Sequence, residues 1–358
     1  MSIFTINNTV QNINFNGNDV QKLIFNGNLV WEKTPAIDYT KEFLTFEALE
    51  SGTIQFKRAQ SSSFGTLYIY YSKNDGAWTR SGTNQTLCSI NVVAGDKVRF
   101  YSTNQKFANN NSGQYHYFST TCKVNMYGNF RSLLDGLDFA DKYTNTNIPN
   151  YNFYKFFTYC KAVDCSNMII DLQSLKGNQV MAYLFGGDTY NTSYATGNLE
   201  HAPYFKIQYT TGSNYILQYA FKNCQKLKDI TIEIINQGGD SGTGGLRSNS
   251  TFYEAFYGCT SLETVNFLFD LNFAVYTGTS ADFYRAFYGC TSLKYLKFLN
   301  RNKTNDAAFT TTSSGIFYQW MTNCPNTSAC KWVRYGGLTY KSKIVPSNWT
   351  IEEEPLPS

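Results

Sequence analysis

The 358-residue chain carries 30 Lys and Arg against 26 Asp and Glu, and a net charge of +4 is too small to mark a nucleic-acid footprint. Charged residues make up only 16% of the chain and aromatics 17%, so the many Phe and Tyr must be buried, which excludes intrinsic disorder. No window approaches the roughly 18 uninterrupted apolar residues of a membrane span, and no membrane insertion is expected. The first residues lack the basic and apolar regions of a signal peptide, so ordinary secretion is not expected. Nine cysteines, an odd number, then read as reduced thiols. With only His116 and His201 as imidazoles, neither a metal nor a cofactor is expected.

The chain opens with a short repeat. Val10-Gln-Asn-Ile-Asn-Phe-Asn-Gly-Asn18 is followed by Val20-Gln-Lys-Leu-Ile-Phe-Asn-Gly-Asn28. Asn-Gly supplies two residues that tolerate positive φ, as a type I′ hairpin turn requires, so each unit reads as strand, turn, strand. Residues 1–36 are thus a β-hairpin module. It either pads the next domain or docks on a larger partner through Phe15, Gly17, Phe25, Gly27 and Trp31.

Residues 37–134 show short strands between turn signals: Phe43–Leu49, Thr53–Lys57, Leu67–Tyr71, Ser89–Val93, Lys97–Phe100, Tyr115–Phe118 and Lys123–Tyr127. That spacing predicts an antiparallel β-sandwich with no helix in it.

From residue 135 to about 345 the sequence repeats itself. The clearest copies are Phe252-Tyr-Glu-Ala-Phe-Tyr-Gly-Cys-Thr-Ser-Leu262 and Phe283-Tyr-Arg-Ala-Phe-Tyr-Gly-Cys-Thr-Ser-Leu293. Weaker copies centre on Cys160, Asp188, Cys224 and Cys324, at steps of 28 to 36 residues. A period of this length predicts a solenoid. Phe252, Ala255 and Phe256 fit one helical face, with Gly258 as the left-handed residue ending the helix. Leu262-x-x-Val265-x-Phe267 and Leu293-x-x-Leu296-x-Phe298 fit the strand core of a leucine-rich repeat. Each unit is therefore expected as a short helix, a Cys-centred turn and a strand, with the strands stacked in a parallel sheet. Phe256, Leu262, Phe287 and Leu293 are core positions. Cys160, Cys224, Cys259, Cys290 and Cys324 recur one layer apart and are small buried hydrophobes rather than metal ligands. Residues 346–358 read as a tail.

Catalytic patterns are weak. Gly-Asp-Ser-Gly at 239–242 echoes a nucleophile loop, but a triad needs a base and an orienting acid. His116 lies in a predicted strand and His201 in a predicted inter-repeat loop. Carboxylates are scattered, and no enzyme is expected. Outward-facing Tyr or Trp on the repeats are fairer candidates, because they stack on sugars and donate hydrogen bonds.

The motif Phe-Tyr-x-Ala-Phe-Tyr-Gly-Cys-Thr-Ser-Leu resembles the BspA-type leucine-rich repeats of gut bacteria and their phages. Tyr39-Thr-Lys-Glu-Phe-Leu-Thr-Phe-Glu-Ala-Leu-Glu-Ser-Gly-Thr-Ile54 is similar to the β-domain that often precedes them, and Ile344-Val-Pro-Ser-Asn-Trp-Thr-Ile-Glu352 to their usual close. The Phe-Asn-Gly start is similar to the first residues of phage tail, baseplate and fibre proteins. Together these imply a virion structural protein of the kind found in Bacteroides-infecting, crAss-like gut phages: a fibre, tail appendage or capsid decoration, assembled in the host cytoplasm. The hairpin module would contact other virion proteins. The solenoid would meet a host surface glycan or protein, and homo-oligomerisation stays open. The alternative is a bacterial cell-surface adhesin of the BspA kind.

Overall fold

The computed structural model describes the chain except for residues 1, 7–8, 16–17, 21, 26–27, 33–37, 60–66, 84, 105, 110–111, 141–147, 149, 176, 188–195, 210–214, 237–249, 269–282, 299–316, 336–344 and 355–358. Backbone contacts divide it into two units, Met1–Asp38 and Tyr39–Ser358. In the first, β1 (Ser2–Ile6), β2 (Thr9–Phe15) and β3 (Asn18–Val20) form one antiparallel sheet, and β4 (Lys22–Phe25) pairs with β5 (Asn28–Glu32). Phe15 faces Asn18 and Phe25 faces Asn28, so both expected hairpins close over two residues. β1 adds a further strand that the expected hairpins do not include, with Ile6 opposite Thr9.

In the second unit, alternating apolar residues build the strands β6 (Leu44–Ala48), β7 (Gly52–Arg58), β8 (Tyr70–Lys73), β9 (Thr79–Arg80), β10 (Thr86–Val92) and β11 (Lys97–Tyr101). Phe46 and Phe100 from one run of strands meet Phe56 and Phe118 from the other in a shared core. The pivot is β12 (His116–Asn129), 14 residues long. It replaces the two separate strands expected at Tyr115–Phe118 and Lys123–Tyr127. Ser119-Thr120-Thr121-Cys122 between them holds no Gly, Pro, Asn or Asp to turn the chain, and its threonines suit an extended backbone. The first half of β12 pairs with β7 and its second half with β6, both antiparallel. Near its end Gly128 adopts φ of 89°, and a Cβ there would lie 2.1 Å from the Phe43 carbonyl oxygen, so no other residue fits. The only α-helix among the described residues, α1 (Ser132–Asp135), follows.

The same strand starts the parallel pairing. It lies beside β13 (Tyr159–Ala162) and β14 (Met168–Leu175). Then β15 (His201–Tyr209), β16 (Asp229–Asn236), β17 (Thr264–Leu268), β18 (Tyr295–Phe298), β19 (Lys331–Tyr335) and β20 (Thr350–Glu354) follow in sequence order, every pair parallel. The unit is thus mostly β with one large sheet. This sheet runs on past residue 134, and β20 adds a strand within the segment expected as a tail. His201 opens β15 rather than sitting in a loop. Ile170, Phe205, Ile232 and Phe267 pair across it and are buried.

The helices expected in the repeats do not form. Residues 250–259 are a chain of turns in which alternate N–H groups take different partners. Ala255, Tyr257 and Cys259 donate to the residue three positions back, whereas Glu254, Phe256 and Gly258 donate to Tyr284, Ala286 and Tyr288 of the next layer. An α-helix keeps every N–H within its own segment; here half cross to the neighbour. Every fourth residue is left-handed: Ser250, Glu254 and Gly258, then Arg285 and Gly289, and equally Tyr215, Tyr219 and Asn223. Phe-Tyr-Glu-Ala and Phe-Tyr-Gly-Cys are two four-residue turns in tandem. A four-residue period also places Phe252 and Phe256 on one face, which is why it resembles a helix in sequence.

Leu262 and Leu293 are fully buried, as expected. Leu262→Asp should lower stability by several kcal/mol through an unpaired buried charge, read by chemical denaturation; unchanged stability would refute the register. Buried His116 stacks on Phe56 at 5.7 Å and its Nδ1 lies 2.8 Å from the Phe107 carbonyl oxygen. Burial pushes its pKa from 6.5 down to about 4. The neutral imidazole therefore favours the fold above pH about 6.5, and this contribution, about 3 kcal/mol at most, disappears as pH falls towards 4. A His116→Gln variant should show a flatter loss of stability across that window.

Candidate functional site

The turn segments stack into columns. An inward column of phenyl rings begins in β12 and runs Phe118, Phe157, Phe185, Phe221, Phe256, Phe287, with successive rings stacked 5.1 to 5.9 Å apart. Trp320 ends it, tilted against Phe287 at 5.6 Å. Phe256 and Phe287 are thus core, as the sequence suggests, and Phe118 joins them although it lies far outside the repeats.

Beside this column run the thiols. All nine cysteines are free; Cys160, Cys224, Cys259 and Cys290 are buried, and Cys324 is partly so. The Sγ of Cys259 donates to the Phe221 carbonyl at 3.0 Å, that of Cys290 to Phe256 at 3.2 Å, and that of Cys324 to Phe287 at 3.1 Å. Each thiol ties its layer to the one before. Desolvation pushes the thiols up, to about 12 for Cys324 and well above the usual range for Cys160, Cys224 and Cys290. They are structural, not nucleophilic. Among the described residues no three His, Cys, Asp or Glu gather as a metal-holding group.

Two surfaces remain outward. On the sheet, His201 Nδ1 meets Asp229 Oδ2 at 2.6 Å and the Tyr204 hydroxyl donates to Glu233. Lys297 pairs with Glu354 at 2.6 Å and Lys331 with Glu352 at 2.5 Å. This face is polar and carries these matched charge pairs.

The turn side differs. Tyr183 and Tyr219 lie 4.6 Å apart, Tyr219 and Tyr253 5.6 Å, Tyr253 and Tyr284 4.6 Å, and Tyr284 and Tyr318 5.4 Å. A second pair, Tyr257 and Tyr288, stacks at 5.0 Å. Cations are interleaved: Lys155 over Tyr183, Lys222 over Tyr219 and Tyr257, Arg285 over Tyr284 and Tyr288. Lys222 also pairs with Glu254 at 2.7 Å.

Among and beside these side chains runs a column of left-handed residues, Lys155, Tyr183, Tyr219, Glu254, Arg285 and Gln319, with φ between 48° and 57°. Four residues further on, the next left-handed column holds Asn223, Gly258, Gly289 and Asn323, the types that tolerate that backbone. Bulky residues there cost on the order of 1 kcal/mol each. The only signal for this column in the sequence is the four-residue tandem itself. Its third position is Glu or Gly, Arg or Gly, in the two clearest copies.

Of the proposed docking residues, Phe15, Phe25 and Trp31 lie on β2, β4 and β5, with their side chains outside the described set, and Gly17 and Gly27 lie outside the described residues. Asp188, in the place of a cysteine, does too. No family model matches the chain, and no curated protein or solved structure matches it.

With the thiols buried, a water-soluble disulfide reagent at mildly alkaline pH should leave Cys160, Cys224, Cys259 and Cys290 unmodified in the native protein and modify them once denaturant is added. Rapid native labelling of any of the four, located by peptide mass spectrometry, would contradict the column.

Proposed function

We propose that the chain is a bacteriophage virion structural protein, a fibre, tail appendage or capsid decoration, that presents a repeat surface to a host glycan or protein. In this reading residues 39–134 are a β-sandwich spacer and the parallel layers from β14 onward are a solenoid of BspA-type leucine-rich repeats. The observation that carries it is the register of the layers. Each repeats a buried Phe, a thiol tied to the preceding layer and an inward apolar strand, and so offers the same outward positions again and again. A surface repeated at a fixed interval suits an extended ligand or a contact shared among many copies. The matched polar sheet face and the aromatic turn face offer recognition without acid–base chemistry, and we assign the chain no enzymatic role.

The hairpin module supports attachment. Met1–Asp38 is a compact unit separate from the rest, and it contains a two-stranded sheet, which is marginal unless something covers it. Other virion proteins would supply that cover. The likeness of the Phe-Asn-Gly start to phage tail and fibre proteins is what selects a virion.

The test is proteomic. Particles purified from lysed cultures carrying this gene should contain the polypeptide in stoichiometric amounts by mass spectrometry. Its absence from particles, together with its presence on intact bacterial cells, would replace this reading with the surface adhesin.

A further inference from the structure

We infer that the aromatic and cationic stripe on the turn side, rather than the sheet face, is a binding surface for an extended glycan, laid along the stack with one pyranose ring per layer. The inference rests on the reading of this chain as a ligand-presenting protein, though not on its residence in a virion.

Three observations converge. The first is the choice of residues. In six consecutive layers the left-handed position before the Cys turn carries a long side chain, Lys155, Tyr183, Tyr219, Glu254, Arg285 or Gln319. The neighbouring left-handed column uses Gly258, Gly289, Asn223 and Asn323. Glycine would be the easier residue in both columns, so in the first one the side chains are held against backbone strain, as they also are at Tyr151, Gln179 and Tyr215 four residues earlier. Strain held in this way is a reason to ask what those side chains do.

The second is chemistry. Tyr253, Tyr257, Tyr284, Tyr288 and Tyr318 are half-buried. Tyr253 stacks on Tyr284, Tyr284 on Tyr318 and Tyr257 on Tyr288, so ring faces are taken up within the stack and ring edges are left for a ligand. Lys222, Arg285 and Gln319 stand among them, with Arg285 Nε donating to Gln319 Oε1 at 2.8 Å. Hydroxyls, an amide and cations in a row are donors and acceptors for sugar hydroxyls and for the carboxylate of an acidic sugar. Some of these groups also contact one another, Lys222 with Glu254 and Arg285 with Gln319, as His201–Asp229, Tyr204–Glu233 and Lys297–Glu354 do on the sheet face; what sets the turn side apart is its run of tyrosines from layer to layer.

The third is spacing. Successive tyrosines in the stripe lie 4.6 to 5.6 Å apart. An extended peptide presents side chains to one face every two residues, about 6.6 to 6.8 Å, and drifts out of step with the layers within a few of them. A pyranose ring in an extended chain advances by only slightly more than one layer, so a linear glycan stays in step over several layers.

The experiment uses the full chain and linear oligosaccharides of increasing length, neutral and acidic, on an array and then by calorimetry. Affinity should rise with each added ring until the stripe is filled. Tyr288→Phe, which keeps the stack and removes one hydroxyl, and Arg285→Gly, which relieves the strained backbone, should each weaken binding roughly tenfold. Arg285→Gly should do so with an unchanged or raised melting temperature. That combination separates a binding role from a structural one, because a purely structural Arg285 would lose stability and leave binding intact. Tyr295→Ala on the sheet face should not affect binding. If no oligosaccharide binds, or if Tyr295→Ala abolishes binding while the stripe variants keep it, the inference is wrong. Particle proteomics decides the virion reading independently of either result.

Discussion

The division of backbone N–H groups in the turn segments governs the rest of the second unit. Half of them return to the residue three positions back, and half cross to the neighbouring layer, as Glu254, Phe256 and Gly258 do towards Tyr284, Ala286 and Tyr288. A segment that gives away alternate donors cannot be a helix and cannot be stable alone, because each unmade bond would leave a buried polar group unsatisfied. The neighbour is therefore part of each layer's own structure. The ring stacks follow from this: with the backbones locked in register, Phe221, Phe256 and Phe287 have no arrangement open to them but one above another.

Such a stack needs a first layer, and β12 provides it. That strand accepts antiparallel partners in β6 and β7 and parallel partners in β13 and β14. Its Phe118 is the first ring of the column that ends at Trp320. The antiparallel strands thus serve as a cap for the parallel layers, covering an apolar end that a repeat array would otherwise expose. At the other end β20 closes the sheet with Thr350-Ile-Glu-Glu-Glu354, and Val345 and Trp349 are buried just before it. Charge on a terminal strand discourages further pairing.

Much of this was legible in the sequence, and what was not has a physical cause. The Asn-Gly hairpins, the strands at Leu44 and Lys97 and the parallel layers after Leu262 and Leu293 follow from local patterns that tertiary contacts do not override. In sequence the turn segments look helical because a four-residue period and a 3.6-residue one both put Phe252 and Phe256 on one face. Only the destination of the N–H groups tells them apart, and that lies in another layer. The continuity of β12 through Ser119–Cys122 was hidden because polar residues between two apolar runs look like a break, whereas threonine at 120 and 121 favours an extended chain. The left-handed Lys155, Tyr219 and Arg285 had no signal of their own, since bulky residues are rare in that conformation.

The register of the layers does not depend on the length of chain between them. Residues 237–249, 269–282 and 299–316 differ in length, yet the layers they join keep one register: Asp229, Thr264 and Tyr295 pair in one row, and Ile230, Val265 and Leu296 in the next. Lengthening a connection is cheap, about 0.6 kcal/mol for each doubling. Misplacing a layer is not, since it would break a row of backbone hydrogen bonds, unstack a phenyl ring and strand a thiol at once. Register is thus fixed by the columns and not by the connections. The columns alone set the interval at which the outward tyrosines and cations recur, which makes that interval the dimension a partner of this surface has to match.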